Sequence, residues 1–533
     1  MKQLLGVCVI LVLTGSSVFA SGGLQRTTAY PATAPIMPIA NTQAGQLKGF
    51  VDHNGVLAFN GIQYAVVSER YAKPQPVPAW QGVKPAQVYG AIPLIPEQKT
   101  VGADEFAWPH RYGIQAEECQ FLNVWTPSLS GKRAVMIFIH GGSFNNGSAQ
   151  EAVAYEGGNL AQFGDVVVIT VNHRLNVLGY LNLSSFGDKY KDSANLGQYD
   201  LLAALQWVKD NIANFGGDPS NVTIFGQSGG CRKVQSLMHM PEAQGYFSKA
   251  IGHSSIYNPI SQAQADRIAQ LTVQNLGLTA ATLDQIKTTE YRTLLAAGEK
   301  ALADAGREFG ISLNGWNVTI DEKTLLSSYP EFAKAIPFIQ GTVMGEAAHN
   351  NLAFIAQNIN KNNWTGAETD RYLGERFGSD AAAIKAEWEK LFPEKKSQDV
   401  YFYDIDRRNN TLNFLADKAQ SGTAPVYNYL FNFEAPANGG ITPFHCSELA
   451  YVFHNMNLRE ITKATGGTAE VFKMQDVIAQ AWINFAKTGN PSQPGLEWKP
   501  FDPVSKTGTL VFDTNSRFAP LDDANLRKLM GTR

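Results

Sequence analysis

One ten-residue stretch, NVTIFGQSGG at residues 221–230, constrains the fold of this chain more than any other. Residues 222–225 are mostly apolar with three β-branched side chains, which predicts a buried strand. The G-x-S-x-G pattern follows directly, and in it a serine sits on a sharp turn between a strand and a helix with its hydroxyl exposed. Few helix breakers occur in residues 233–240, so the helix that this turn requires can form there. The stretch therefore predicts that Ser228 is a nucleophile.

The rest of the chain alternates strands and helices. Short apolar runs that predict buried strands lie at residues 134–139, 166–171, 336–340, 426–433 and 509–512. Residues 199–215 carry apolar side chains at helical spacing, and residues 474–487 predict a late helix. Strands that alternate with helices pair in parallel through crossover helices, so the sequence predicts an α/β fold. No internal repeat or flexible linker divides the chain, which favours one large domain with insertions.

The first twenty residues differ in character from the rest. Lys2 is followed by an apolar run at residues 4–13, and residues 18–20 fit a cleavage site with small side chains. We predict a secretory signal removed after Ala20, a mature chain of residues 21–533, and a secreted or periplasmic location; a short uncleaved anchor is the alternative. No later run is long enough for a membrane span. The net charge of −3 gives no sign of a nucleic-acid partner.

A serine nucleophile needs a base, and the base needs an acid that orients it. After a G-x-S-x-G turn these follow in the order Ser, Asp or Glu, His. His253, His349, His445 and His454 all qualify on order, and His445 stands out because it lies in a loop between a predicted strand and a new helix. Glu346 follows the strand at residues 336–340, where catalytic groups gather in α/β sheets.

The oxyanion that forms on attack needs preorganised N–H donors. The segment His140-Gly-Gly-Ser143 follows a predicted strand and is flexible enough to turn donors inward. No clustered set of His, Cys, Asp and Glu has the spacing of metal ligands, so the sequence predicts neither a metal nor a cofactor.

Several motifs, taken together and in order, resemble the type-B carboxylesterases, relatives of the cholinesterases and of bacterial para-nitrobenzyl esterases. They are AEECQFLNVWTP at 116–127, HGG at 140–142, NHRL at 172–175, ALQWV at 204–208 and NIANFGGDP at 211–219. The similarity runs over about residues 45–512. It implies an α/β-hydrolase fold, with a central, mostly parallel sheet flanked by helices and with helical insertions over an active-site gorge.

The resemblance also implies an activity and its residues. The family's nucleophile matches Ser228, its acid matches Glu346 in the pattern G-T-x-x-x-E, and its base matches His445 in H-x-x-E-L-x-Y-V-F. Its oxyanion N–H groups fall on Gly142, Ser143 and Gly229. The implied reaction is hydrolysis of a small or medium carboxylic ester through an acyl-enzyme. Nothing in the sequence specifies an oligomeric state.

The chain departs from the family pattern at two positions near the nucleophile. Ser143 replaces the third glycine of the oxyanion loop, which predicts a narrower acyl side or an extra hydrogen bond. Gln227 replaces a glutamate of the cholinesterases. This weakens the case for a quaternary ammonium substrate, although Trp108 could offer an aromatic face.

The cysteines and two basic residues lead to further expectations. The family's disulfide to the cysteine matching Cys119 must be absent, because no upstream cysteine survives in the mature chain. Cys231 and Cys446 neighbour Ser228 and His445, which the triad brings together, so we predict a disulfide between them, with two free thiols as the alternative. Arg232 and Lys233 are expected to pair with nearby carboxylates; the alternative is that they steer an acidic substrate.

Two other functions remain open at this stage. An amidase or peptidase on the same scaffold passes through the same tetrahedral intermediate, so the triad does not distinguish it from an esterase. Some members of the family bind partners without catalysis, but these usually lack a triad residue, whereas all three are present here.

Overall fold

A sheet of eleven strands forms the centre of the computed structural model, which describes residues 37–97, 110–313, 315–348 and 360–531. In chain order the strands are β1 Phe50–Val51, β2 Leu57–Gln63, β3 Phe121–Thr126, β4 Arg133–Ile139, β5 Val167–Val171, β6 Gly217–Gln227, β7 Lys249–His253, β8 Phe338–Val343, β9 Val426–Phe431, β10 Thr509–Phe512 and β11 Arg517–Ala519. Their order in the sheet is β11-β10-β9-β8-β7-β6-β4-β5-β3-β2-β1. Strands β4 to β10 are mutually parallel, and antiparallel strands complete both edges.

Strand β4 is apolar from Ala134 to Ile139 because both faces of the sheet are covered there. Along β4, Val135, Ile137 and Ile139 pack into one hydrophobic core, and the alternating Met136 and Phe138 pack into the other. Successive side chains of a strand point to opposite faces, so a continuous apolar run is the pattern that a doubly covered strand requires.

Helices supply the covering layers. They are α1 Gly158–Gly164, α2 Asn176–Tyr180, α3 Leu196–Asn211, α4 Gly229–Met238, α5 Gln262–Asn275, α6 Tyr291–Phe309, α7 Glu331–Lys334, α8 Gly366–Phe377, α9 Ala381–Leu391, α10 Ile405–Ser421, α11 Leu449–Val452, α12 Arg459–Thr465, α13 Ala469–Thr488 and α14 Ala524–Gly531. Helices α3 and α4 contribute to the same core as Ile137, whereas α1 and α13 contribute to the core of Phe138. Outside this sheet there is a small three-stranded sheet of Ile39–Asn41, Gln46–Lys48 and Val83–Pro85. Two strand pairs join Ala65–Val66 with Gln75–Pro76 and Ile260–Ser261 with Thr319–Ile320.

The boundaries of the elements differ from the predicted ones for local reasons. The nucleophile strand is longer than residues 222–225, and α4 begins at Gly229 rather than at Lys233 because the turn at Ser228 leads straight into the helix. The predicted helix at 199–215 starts at Leu196, and its last part is the tighter 3-10 turn Ile212–Phe215. The strand predicted from residue 336 starts at Phe338, since Pro337 has no N–H for a ladder.

Residues Pro38–Arg533 form one compact unit. The insertions after β7 contain α5 and α6, and the insertion between β8 and β9 contains α8, α9 and α10, of which α8 and α9 build a separate small core around Trp388. Within the described ranges, no helix has the length and apolar character to cross a membrane. The predicted signal at 1–20, Trp108 and His349 lie outside the described residues.

Candidate active site

Ser228 lies on the turn between β6 and α4, in a backbone conformation that only a tight structure maintains. Its φ and ψ are 55° and −119°, a region that L-residues rarely adopt. Its N–H donates to the carbonyl oxygen of His253 at 2.9 Å. A Cβ atom on Gly226 would lie 2.5 Å from the Gly230 carbonyl oxygen, and one on Gly230 would lie 1.9 Å from the Ile139 carbonyl oxygen. Both glycines of the pattern are therefore required by close packing.

Glu346 and His445 form a direct hydrogen bond, with 2.6 Å between His445 Nδ1 and Glu346 Oε2. Glu346 follows β8, and its side chain is 1% exposed. Its second oxygen accepts a hydrogen bond from the Val343 N–H at 3.1 Å, which fixes the orientation of the carboxylate. Because Nδ1 donates to the carboxylate, the lone pair of His445 is on Nε2.

The loops that carry Glu346 and His445 are joined to each other. Gly345, next to the acid, forms an isolated parallel bridge with Phe444, next to the base, and its N–H donates to the Pro443 carbonyl oxygen at 3.2 Å. The parallel strands β8 and β9 lead into these loops, so their carboxyl ends meet at one edge of the sheet. The relative position of acid and base is therefore fixed by backbone hydrogen bonds.

The loop after β4, which carries two of the candidate oxyanion donors, has a backbone conformation that residues with a side chain rarely adopt. Gly142 and Ser143 have φ values of 76° and 54°. The Gly142 carbonyl oxygen accepts from the N–H groups of Asn145 and Asn146, at 3.1 Å and 2.9 Å. A Cβ atom on Gly229 would lie 2.1 Å from the Ser143 carbonyl oxygen, so the loop touches the N-terminus of α4.

One cavity of about 370 Å³ lies beside these loops. Ser228 and His445 line it together with Gly142 and Ser143, and Glu151 is a carboxyl group on its wall. Further lining residues are Ile95, His110, Tyr112, Gly141, Asn145, Asn146, Gly147, Ala152, Ala154, Tyr155, Gln227, Cys446 and Leu449. A volume of this size suits a small organic ligand.

The other histidines that qualified on order have different surroundings. His253 is fully buried behind the site, where it contacts Glu448, Tyr429 and the indole N–H of Trp482. His454 contacts the exposed Asp476. Of these three histidines, only His445 lines the cavity together with Ser228.

Gln227 contributes a contact that the sequence did not predict. Its side-chain amide nitrogen lies 3.1 Å from His445 Nε2 and donates to the lone pair there. The sequence offers one clue to this contact, which is the position of Gln227 directly before Ser228. The amide is neutral, so it holds the imidazole without adding a charge to the cavity.

The structure corrects two expectations. The predicted Cys231–Cys446 disulfide is absent, since no disulfide joins the three cysteines of the described residues. The Cys231 thiol donates to the Ser255 carbonyl oxygen at 3.3 Å, and Cys231 is not among the described residues that line the cavity. Carboxylate partners for Arg232 and Lys233 were also a wrong expectation. In the part of the chain that is described, Arg232 donates to the Ser255 hydroxyl, Lys233 donates to backbone carbonyls, and neither forms a salt bridge.

A mostly parallel sheet that carries a serine on a strand-to-helix turn, with an acid and a histidine on later loops, is the arrangement of the α/β hydrolases. The chain belongs to the Carboxylesterase family, whose sequence model matches residues 37–523. Members of this family hydrolyse carboxylic esters. The resemblance and the fold class predicted from the sequence are thereby confirmed.

Individual relatives agree with this assignment. Para-nitrobenzyl esterase of Bacillus subtilis (strain 168) is 34% identical over 489 residues, which cover 89% of this chain and 95% of that protein. Fumonisin B1 esterase of Sphingopyxis macrogoltabida is 29% identical, with 91% and 88% of the two chains covered. Among solved structures, an esterase from anaerobic Clostridium hathewayi that can hydrolyze aliphatic aromatic polyesters has a TM-score of 0.84 at 37% identity, and the match covers 93% of this chain and 98% of that one.

Proposed function

We propose that this chain is an exported serine esterase that hydrolyses a small or medium carboxylic ester through an acyl-enzyme. The observation that carries the proposal is the 2.6 Å bond between Glu346 and His445. That bond keeps the Nε2 lone pair in the cavity that Ser228 also lines. The export rests on the signal-like residues 1–20.

In the proposed reaction, His445 Nε2 gives up its hydrogen bond from the Gln227 amide and takes the proton of Ser228 Oγ as that oxygen attacks the ester carbonyl. The carbonyl oxygen becomes an oxyanion held by the N–H groups of Gly142, Ser143 and Gly229. Collapse of the intermediate breaks the bond to the alcohol oxygen, which leaves with the proton from His445. A water molecule then attacks the acyl-enzyme by the same steps in reverse, which releases the acid and restores Ser228.

Hydrolysis of para-nitrophenyl esters from acetate to octanoate tests this proposal. Ser228→Ala should lower kcat by a factor on the order of 10⁴ to 10⁶, because no other group replaces the nucleophile. Ser236→Ala is the matched control: Ser236 lies on the same helix, and its hydroxyl donates only to the Arg232 carbonyl oxygen, at 2.7 Å. We expect it to keep the activity.

The chain-length profile adds a measure of the acyl pocket. A cavity of about 370 Å³ should favour short and medium acyl chains over octanoate. Equal turnover by the wild type and Ser228→Ala would refute the serine mechanism. A folded wild type that neither turns over any ester nor reacts with an organophosphate would instead favour a binding protein.

A further inference from the structure

Lys233 is a buried cation directly behind the candidate oxyanion hole. It lies one turn into α4, five residues after Ser228, and its side chain is 0% exposed. Its Nζ donates to the carbonyl oxygens of His140 and Gly141, at 3.2 Å and 3.5 Å. A buried ammonium group that forms no salt bridge is costly to maintain, and such groups concentrate at functional sites.

The two carbonyl oxygens belong to the peptide groups that lead into the oxyanion loop. In a trans peptide the C=O and the N–H point in opposite directions. The carbonyl of Gly141 shares its peptide with the N–H of Gly142, and His140 Nδ1 lies 3.0 Å from the same oxygen. A cation on the carbonyl side therefore leaves the N–H facing the other way, where Gly142 lines the cavity.

The other two candidate oxyanion donors, the N–H groups of Ser143 and Gly229, belong to peptides with uncharged partners. The peptide that carries the Ser143 N–H has its carbonyl, that of Gly142, bonded to the neutral backbone N–H groups of Asn145 and Asn146. The Ser228 carbonyl, in the peptide of the Gly229 N–H, accepts from the Arg232 N–H at 3.3 Å. Of the three donor peptides, only that of Gly142 has a charged side chain on its carbonyl oxygen within the described structure.

We propose that Lys233 is a positioning residue of the reaction, whose ammonium group fixes the Gly141–Gly142 peptide and polarises the Gly142 N–H toward the oxyanion. This role rests on the proposed function. A positive charge at the carbonyl end strengthens the peptide dipole, and in a buried site that field is little screened. Because the oxyanion forms in both acylation and deacylation, Lys233 acts on both steps.

The protonation of Lys233 is sensitive to its surroundings. Burial lowers its pKa to about 7, and the negative charge of Glu151 opposes that shift. His140 and His173 face it from the ends of β4 and β5; burial and Lys233 hold both of their pKa values well below the ordinary value, so they stay neutral. The ammonium form therefore predominates at pH values below this pKa and is lost as the pH rises through it, so kcat should fall on the alkaline side.

Lys233→Met tests the role, because methionine fills the space without a charge or a donor. Losing a whole oxyanion donor costs about 10²- to 10³-fold in kcat, so losing the charge behind one should cost about 10- to 100-fold, with KM unchanged. Lys249→Met is the matched control. Lys249 is also buried, with a pKa lowered to about 8. It lies at the amino end of β7, away from the cavity, where its ammonium group donates to Asn221. It should keep kcat.

The pH profile separates positioning from mere stability. The wild type and Lys249→Met should share an alkaline fall in kcat that Lys233→Met lacks. A Lys233→Met enzyme with wild-type kcat, with a loss confined to KM, or with the same alkaline fall would overturn the proposal. Lys233→Gln provides a second neutral variant. If neither folds, as judged by circular dichroism, Lys233 serves the fold alone and the proposal is refuted. An inactive wild type would refute the proposed function itself, and this role with it.

Discussion

Replacing Glu346 by glutamine should abolish most of the activity while leaving the fold intact. The proposed reaction makes His445 an imidazolium beside a carboxylate whose side chain is 1% exposed. With 2.6 Å between Nδ1 and Oε2, the centres of the two charged groups are about 4 Å apart, and they attract by about 4 kcal/mol at an effective dielectric of about 20. Losing that attraction in the transition state costs about 10³-fold in rate.

The geometry adds a second cost. The Val343 N–H donates to Oε1 and needs an acceptor there, so the oxygen of the new amide would face Val343. The NH₂ group would then face His445 Nδ1 and force the imidazole proton onto Nε2, where it cannot accept the proton of Ser228. A wrong tautomer of this kind brings the total loss to as much as about 10⁴-fold.

The assay is kcat for para-nitrophenyl butyrate, with the melting temperature as a check on folding. Asp476→Asn is the matched control, since Asp476 bonds another histidine, His454, at 2.8 Å on the surface. It should keep full activity. Glu346→Asp keeps the charge on a shorter side chain, so its kcat should lie between those of Glu346→Gln and Asp476→Asn. A Glu346→Gln enzyme with kcat within about tenfold of the wild type would refute the assignment of Glu346 as the acid.

Three further predictions follow from contacts around the site. Gly230→Ala should lower kcat by about 100-fold or more, because the added methyl group would lie 1.9 Å from the Ile139 carbonyl oxygen. Gly374→Ala is the control, since its methyl group would meet no atom within 4 Å. It should keep kcat and raise the free energy of unfolding by about 0.5–1 kcal/mol in urea titrations. Gln227→Glu should raise kcat/KM for butyrylthiocholine relative to para-nitrophenyl butyrate by about 5- to 10-fold, and an unchanged ratio would contradict its place in the cavity. Iodoacetamide should label Cys446 in the native protein and Cys231 only after unfolding without reductant, because burial raises the pKa of Cys231 to about 12; two unreactive thiols after unfolding would indicate a disulfide after all.

The elements of the sheet were predictable because their causes are local. Strand β6 contains three consecutive β-branched side chains and a phenylalanine just before Gly226, and the glycines at 226 and 230 permit the turn at Ser228. The order Ser, Glu, His follows from that turn. The contact of Glu346 with His445 was expected from chain order and resemblance. Its 2.6 Å geometry depends on the bridge between Gly345 and Phe444, about which the sequence says nothing.

The expectations that the structure contradicts concern the directions of side chains on α4. Ser228 precedes the first helical residue and has a φ of 55°, so helical spacing does not place the Cys231 thiol beside its hydroxyl. That thiol contacts the Ser255 carbonyl oxygen instead. Lys233 was expected to pair with a nearby carboxylate, because helix propensity and charge carry no information about burial. Its burial is set by the loop at His140, 93 residues away in the chain. Contacts between segments this far apart in the chain are the part of the site that cannot be predicted from a single sequence.

The strained backbone of the site explains why it lies at the middle of the sheet. Ser143, Ser228, Ser254 and Cys446 all have positive φ, with values of 54°, 55°, 56° and 71°. Each such residue costs about 1–3 kcal/mol, and together they approach the net stability of a whole domain, about 5–15 kcal/mol. Only a surrounding structure with strong interactions of its own can hold them. Strand β6 is such a place, because it is paired on both sides with parallel strands and covered on both faces. The same turn at a sheet edge would relax, and the serine hydroxyl would leave the cavity.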